Sequence, residues 1–302
     1  MYDVMGTTVK GQHNDSSSNS NSNSKKIVNT SILPSARSLR KWVLYNGVLT
    51  AISLLHAGLS LTYGAFSMQL LIFIAIRNVV LAWGVDALTK NSTSSSKRQS
   101  KVRGWKDDKG RVVNVLLISL LEVAAAFICL GDRQLVRNVP ATLALFIPMS
   151  FVFEVMYDGF HYVAHRFMHS QRVLGWHKQH HAHVGNVCVW ATFDQSALDI
   201  VFSNTFPFLA TFFLVNTVHS LDTLDAALLL TFKMFVEVCG HSGKDSFPSS
   251  SFPQFFWLPR WLGIELYAED HNLHHELGNR NFAKRFALWD KLGDTFSSGT
   301  RR

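Results

Sequence analysis

The stretch from Val139 to Ser170 reads VPATLALFIPMSFVFEVMYDGFHYVAHRFMHS and combines two patterns that decide the fold. The part up to Tyr157 is almost entirely apolar and approaches the ~20 residues that an α-helix needs to cross a bilayer. The part after it carries His165 and His169, which are four positions apart and therefore share one face of a helix. We predict a membrane-spanning helix that ends in a pair of histidines.

Five further apolar stretches occur along the chain: Trp42–Tyr63, Met68–Leu88, Val112–Leu130, Ala197–Val218 and Leu224–Cys239. Charged residues are only 17% of the 302 residues, against a usual ~25% in soluble proteins. The sequence therefore predicts an all-α integral membrane bundle of helical hairpins with a cytoplasmic, helical, histidine-rich cap. The alternative is a soluble core of buried helices, but six long, weakly charged segments exceed what such a core needs.

The apolar stretch Ala197–Val218 differs from the others because it starts with Asp199 and contains Pro207. Proline removes a backbone donor and clashes with the preceding turn of a helix. We therefore predict that this stretch is broken or re-entrant.

Basic residues lie in two segments that flank the first apolar pair. Residues 1–40 include the tract DSSSNSNSNS and are predicted to be a disordered basic tail, and the loop 90–111 carries eight Lys or Arg. Each basic segment is followed by an apolar run without a nucleic-acid motif, so we assign both segments to the cytoplasmic side of a membrane. Residues 41–140 are then a membrane hairpin region, and residues 141–302 a catalytic region.

Histidine is concentrated in this catalytic region. Of the 14 histidines, seven lie between His161 and His183. Three boxes, HxxxH and twice HxxHH, and one isolated histidine in Gly-His-Ser-Gly supply nine candidate metal ligands: His165, His169, His177, His180, His181, His241, His271, His274 and His275. On a helix, the three imidazoles of HxxHH share a face.

The eight imidazoles of the three boxes are too many for one tetrahedral zinc, which takes four ligands. Two metal ions would account for this number of ligands, and imidazole binds iron, zinc, copper and nickel alike. The three cysteines are widely spaced and form no CxxC pair, which fits a reducing compartment.

The other histidines have different expected roles. His161 and His183 are predicted to line the site or to support its ligands, and His219 to lie at a hairpin turn on the opposite side of the membrane. Three acidic residues are candidates to orient ligand imidazoles through their second nitrogen, or else to serve as surface or cap residues: Asp158, Asp270 and Asp290.

The segments DGFHYVAHRFMH (158–169), WHKQHH (176–181) and EDHNLHH (269–275) resemble the fatty acid hydroxylase/sterol desaturase superfamily. The segment NFAKRFALWDKLG (281–293) is similar to its closing element, and the resemblance covers about Phe151 to Phe296. It implies an enzyme of the endoplasmic reticulum membrane that activates O2 at two iron ions facing the cytoplasm. Such enzymes hydroxylate, oxidise or desaturate sterols, fatty acids or sphingoid bases, with NAD(P)H electrons relayed through a cytochrome b-type donor and its reductase.

The Gly-His-Ser-Gly element at His241, followed by Phe247 and Pro248, is similar to the sterol C4-methyl oxidase branch and favours a sterol substrate. Two positions depart from the family and leave the ligand count open. Glu237 stands where some members have another histidine, and His161 where an aromatic residue is common.

Two rival functions are a zinc-dependent membrane hydrolase and a metal transporter. The hydrolase would use only three protein ligands and leave most of the histidines unexplained. A transporter should place ionisable residues inside the spans rather than beyond their ends.

Overall fold

The computed structural model describes residues 35–91, 109–131, 134–183, 187–244 and 251–298. These residues form α-helices joined by turns and contain no β-strand, which confirms the all-α prediction. The helices are α1 (Ala36–Tyr63), α2 (Met68–Thr89), α3 (Lys109–Leu130), α4 (Val139–Met168), α5 (Leu174–His177), α6 (Ala197–Ile200), α7 (Phe206–Asn216), α8 (Thr223–Gly240), α9 (Trp257–Trp261), α10 (Ala268–Leu277) and α11 (Leu288–Leu292). Two 3₁₀ turns, His180–His183 and Val189–Phe193, lie between α5 and α6.

Five helical segments in the described ranges are long and apolar enough to cross a membrane. They are α1, α2, α3 from Gly110, α4, and the run from Ala197 to Asn216 that contains α6 and α7. Large apolar side chains on their outer faces are exposed, for example Trp83 at 70%. Such a surface is expected where lipid rather than water surrounds the protein. The chain is therefore an integral membrane protein.

The sixth apolar stretch forms α8, which is not one of these five segments. It carries Asp225, Lys233 and Glu237, and almost all of its residues are buried against α1, α2, α4 and other elements. The bundle thus has a central helix surrounded by lipid-exposed ones, rather than six equivalent spans. The sequence could not distinguish the two cases because protein and lipid are both apolar surroundings for a helix.

The predicted break before Pro207 is a π-helical turn, Val201–Thr205, inserted between α6 and α7. Pro207 has no amide hydrogen to donate to the Ser203 carbonyl four residues earlier. That carbonyl oxygen instead lies 2.7 Å from Nδ1 of His161 in α4. Because of Pro207, the Ser203 carbonyl is available to accept a hydrogen bond from His161, beside the candidate site.

The first helix begins inside the segment 1–40 that the sequence predicts to be a disordered tail. Helix α1 begins at Ala36, with Ser35 as its N-cap accepting the amide hydrogen of Ser38 at 3.1 Å. The preceding part of the tail, and most of the basic loop 90–111, lie outside the described residues.

Candidate metal centre

The nine predicted histidines lie together in two clusters. The first cluster contains His165, His169, His177, His181 and His274; the second cluster contains His180, His241, His271 and His275. Within each cluster, one ring nitrogen of every residue lies within 4.8 Å of those of the others. All four residues of the second cluster are buried, whereas His169 and His181 of the first cluster are partly exposed.

Each HxxHH box is divided between the clusters, contrary to the prediction that its three imidazoles share one face. His177 ends α5, and the chain turns before His180 and His181 begin a 3₁₀ turn. Neighbouring helical residues point about 100° apart. Consequently His180 and His181 enter different clusters, as do His274 and His275 in α10.

The ring nitrogens within a cluster approach one another closely. In the first cluster, Nε2 of His165 lies 2.9 Å from Nε2 of His177, and Nε2 of His274 lies 3.1 Å from Nε2 of His181. In the second cluster, Nε2 of His241 lies 3.2 Å from that of His180. Imidazole nitrogens that converge in this way are suited to sharing a cation.

Burial keeps these rings neutral, which is the form that binds metal. Burial, with a smaller contribution from neighbouring histidines, lowers the pKa of His181 to about 3. Burial, together with the cation Lys284, lowers the pKa of His241 to about 3. Burial also holds the pKa values of His180, His271, His274 and His275 well below the usual range.

The second nitrogen of several rings is anchored by an acceptor outside the clusters. In the first cluster, Nδ1 of His165 lies 2.7 Å from the Phe282 carbonyl, and Nδ1 of His274 lies 2.6 Å from the Arg280 carbonyl. In the second cluster, Nδ1 of His241 lies 2.8 Å from the Glu237 carbonyl. Donation from Nδ1 to a carbonyl leaves the Nε2 lone pair directed into the cluster.

Among the described residues, the carboxylate that contacts a clustered imidazole is that of Asp199, and not that of any of the three predicted aspartates. Its Oδ2 lies 2.9 Å from Nδ1 of His177. The signal in the sequence was the position of Asp199 at the start of an otherwise apolar stretch, where an unpaired charge is energetically costly.

The three predicted aspartates hold the backbone instead. Asp158 accepts the amide hydrogens of Lys284, Arg285 and Phe286 at 2.8–3.0 Å. Asp270 accepts the amide hydrogen at the N-cap of α10.

Asp290 plays the same part and accepts the amide hydrogens of Phe282 and Ala283 at 2.8 and 2.9 Å. Together, Asp158 and Asp290 fix the segment 282–286, which we call the C-terminal clamp. Buried backbone amides need hydrogen-bond acceptors, and one carboxylate can satisfy several of them.

The other histidines of the described part of the chain lie outside both clusters. The ring of His161 is 5.1 Å from that of His165, and its Nδ1 bonds to Ser203 as described. Nε2 of His183 lies 2.6 Å from Asp194, which also binds Arg111. Neither His161 nor His183 is thus a member of a cluster, and His219 follows α7 in the turn that leads to α8.

Glu237, at the position where some family members have histidine, does not join the second cluster through its carboxylate. It forms ion pairs with Lys284 and with Arg285, the latter at 2.9 Å. Arg285 also binds Glu154 of α4 at 2.8 Å. These buried pairs attach the C-terminal clamp to α8 and α4.

Comparisons with known proteins match the part of the chain that carries both clusters. The family described as fatty acid hydroxylase matches residues 150–295. Fatty acid hydroxylase vlmA of Lecanicillium sp is 29% identical over 163 residues, which cover 51% of this chain and 42% of that protein.

Two relatives have sterol-related names. C-4 methylsterol oxidase erg25 of Schizosaccharomyces pombe is 28% identical, over 47% of this chain and 44% of that protein. Methylsterol monooxygenase erg25B of Aspergillus fumigatus is 27% identical, over 48% of this chain and 46% of that protein. The chain thus spans less than half the length of each of these three relatives, and no solved structure matches it. The residues that match the fatty acid hydroxylase family, 150–295, include all nine clustered histidines.

Proposed function

We propose that this protein is a membrane-bound, O2-dependent oxidoreductase that hydroxylates, oxidises or desaturates a lipid, most simply a sterol, at two non-haem iron ions. The observation that carries the proposal is the division of nine histidines into one cluster of five and one of four. Each cluster has enough converging nitrogen donors for one metal ion of its own.

Two histidine-bound iron ions supply chemistry that acid–base side chains lack, namely the use of O2 and electrons to break an unactivated C–H bond. The chain's own residues prepare the place for it. The five residues of the first cluster and the four of the second would hold one ion each. Asp199 and the carbonyls of Arg280, Phe282 and Glu237 orient the rings, and burial of the second cluster excludes water.

The sterol preference is supported by two observations. Two of the relatives are named methylsterol oxidase or monooxygenase, and His241 of the Gly-His-Ser-Gly element lies in the second cluster. The alternative is a fatty-acid or sphingoid-base hydroxylase or desaturase, which is supported by the name of the relative fatty acid hydroxylase vlmA. Either substrate would enter from the surrounding lipid.

Electrons would come from NAD(P)H through a cytochrome b-type haem protein and its reductase. The partly exposed His169 and His181 give the first cluster an edge toward which such a donor can transfer an electron. We assign the protein to the endoplasmic reticulum membrane, with both clusters facing the cytoplasm.

The test combines metal analysis with lipid profiling. Full-length protein purified in detergent should contain about two iron ions per chain, and cells lacking the protein should accumulate an unoxidised sterol. Re-expression of the intact protein should reverse this accumulation, and re-expression of His181→Ala should not. Accumulation of a fatty acid or sphingoid base would select the alternative substrate, while tightly bound zinc with O2-independent hydrolysis would overturn the proposal.

A further inference from the structure

The end of α4 that carries the histidines keeps an apolar outer face. Helix α4 has 30 residues, a length of about 45 Å, whereas the hydrocarbon core of a bilayer is ~30 Å thick. Its exposed apolar stripe nevertheless continues from Val152, at 53% exposure, to Val163 at 66% and Phe167 at 51%. These residues are 11 and then four positions apart, so they share one side of the helix. The lipid-facing stripe of α4 therefore extends past His165.

Neighbouring elements continue this apolar surface. Ser196, the N-cap of α6, donates a hydrogen bond from Oγ to the Trp176 carbonyl of α5 at 2.6 Å. The Trp176 ring stacks on Phe202 of the π-helical turn, with ring centroids 5.3 Å apart. Phe206 of α7 meets Phe160 of α4 edge to face, at 6.3 Å. We call the exposed apolar side chains on these joined elements the α5 patch; they are Val163, Phe167, Leu174, Leu198 and Phe206.

The segment that builds most of the α5 patch carries only positive charge. The 35 residues 159–193 contain no Asp or Glu, but they contain Arg166, Arg172 and Lys178, all with exposed side chains. The ion pairs of the described residues involve none of these three cations. An anionic group from outside the protein would therefore meet unpaired cations here.

We propose that the α5 patch lies at the lipid–water boundary on the histidine side of the membrane and binds anionic phospholipids. The apolar side chains lie among the upper parts of the acyl chains, and the three cations contact the negative charges of the head groups. Two observations favour lipid over a protein partner. The patch is continuous with the lipid-facing stripe of α4, and its cations lie beside large apolar side chains, as is typical of a membrane boundary.

Lipid bound at this patch lies next to a member of the first cluster. Helix α5 runs from Leu174 to His177, and Lys178 follows directly. A helix of four residues is too short to be stable by itself, so contacts from outside contribute to holding it. Lipid binding needs neither metal nor O2, and this inference therefore goes beyond the proposed function without depending on it.

Trp176 can report on lipid at the patch, because its ring is partly exposed and lies among these elements. The full-length protein is reconstituted into phosphatidylcholine vesicles that contain phosphatidylserine or phosphatidylcholine with brominated acyl chains, since bromine quenches nearby tryptophans. The Trp176 signal is the emission that Trp176→Phe removes. Brominated phosphatidylserine should quench it with about fivefold or more higher affinity, because each Lys or Arg near an anionic surface strengthens binding about fivefold.

Arg172→Gln combined with Lys178→Gln should lower this preference about fivefold or more, and Arg172→Lys combined with Lys178→Arg should keep it. Arg137→Gln is the matched control. Arg137 is also exposed, but it lies before α4 at the opposite end of the helix from the histidines and 3.9 Å from Asp222. Added salt should weaken the preference in the intact protein as well, because salt screens exposed charges.

Equal quenching by the two brominated lipids would overturn the inference, and so would an unchanged preference in the folded double Gln variant. If neither lipid quenches Trp176 and the double Gln variant is reduced more slowly by a haem donor, the patch is a protein-docking surface instead. Iron content is measured alongside. A lipid preference in protein that does not bind iron would refute the proposed function alone, and iron-loaded protein without the preference would refute this inference alone.

Discussion

The two histidine clusters differ in exposure and in how their rings are held. The first cluster is partly exposed, and its anchors are Asp199 and two carbonyls of the segment after α10. The second cluster is fully buried, and its His241 ring is held by the Glu237 carbonyl of α8 and by Thr192. The first cluster therefore lies nearer the surface of the protein, and the second lies in its interior.

The sharpest test of this division uses two neighbouring residues. His181→Ala removes a ligand of the first cluster and His180→Ala one of the second, and each should abolish turnover. Each variant should keep about one of two iron ions, because the other cluster retains all of its ligands. Iron per chain and lipid oxidation are the measurements.

His219→Ala is the control for both variants, since His219 lies outside the clusters, and it should keep full activity and iron. Simultaneous loss of both ions in His180→Ala and in His181→Ala would show that the nine histidines act as one site.

Asp199→Asn should weaken metal binding in the first cluster alone. Loss of a charged partner of a ligating histidine commonly lowers metal affinity about 10–100-fold. Competition with a chelator should therefore remove one ion from this variant at a lower chelator concentration and leave the other unchanged. Asp294→Asn, on the exposed surface, should resemble the intact protein. Equal weakening of both ions would mean that Asp199 supports the whole bundle rather than one ring.

Gly243→Ala should destabilise the chain next to the second cluster. Gly243 has a φ of +62°, and an added Cβ would lie 1.9 Å from the Val187 carbonyl oxygen. We expect a loss of about 1–3 kcal/mol in the free energy of unfolding, seen as a lower melting temperature. Gly240→Ala is the matched control, because nothing lies within 4 Å of its added Cβ. Equal melting temperatures would show that the segment around Val187 can move aside.

The smallest effect is expected at Asn91, which begins the glycosylation sequon Asn-Ser-Thr. Arg111 at the start of α3 binds Asp194, close to His183, so α3 begins at the same end of the bundle as the histidine boxes. If that end faces the cytoplasm, Asn91 stays unmodified. The intact protein and Asn91→Gln should then show no mass difference after endoglycosidase treatment beyond the substitution itself. A glycan on Asn91 would show that both clusters face the opposite side of the membrane.

Much of the fold and the identity of the clustered histidines could be predicted because both depend on local patterns. Apolar length predicts helices such as α2, and a spacing of four predicts that His165 and His169 share a face. Such patterns also placed the interruption near Pro207. Each of these features is decided within a few helical turns of sequence.

The partners of those histidines could not be predicted because they come from distant segments. Nothing near His177 in sequence indicates that its Nδ1 will contact Asp199. The group that orients His165 is the backbone carbonyl of Phe282, and because every residue has such a carbonyl, the sequence does not single it out. Asp158 was a candidate either to orient an imidazole or to serve as a surface or cap residue, yet its carboxylate binds amides 126 to 128 positions away. The burial of α8 likewise depends on what surrounds it.

The C-terminal clamp has a consequence for how the protein is made. Translation delivers α1 to α4 to the membrane early, and all nine histidines have been synthesised by His275. The carbonyls of Arg280 and Phe282 and the carboxylate of Asp290 follow only afterwards. The first cluster therefore reaches its final shape only after Asp290 has left the ribosome. Any metal loading of the finished first cluster would therefore follow the synthesis of Asp290, and a chain that stops before this residue carries the histidines without the finished site.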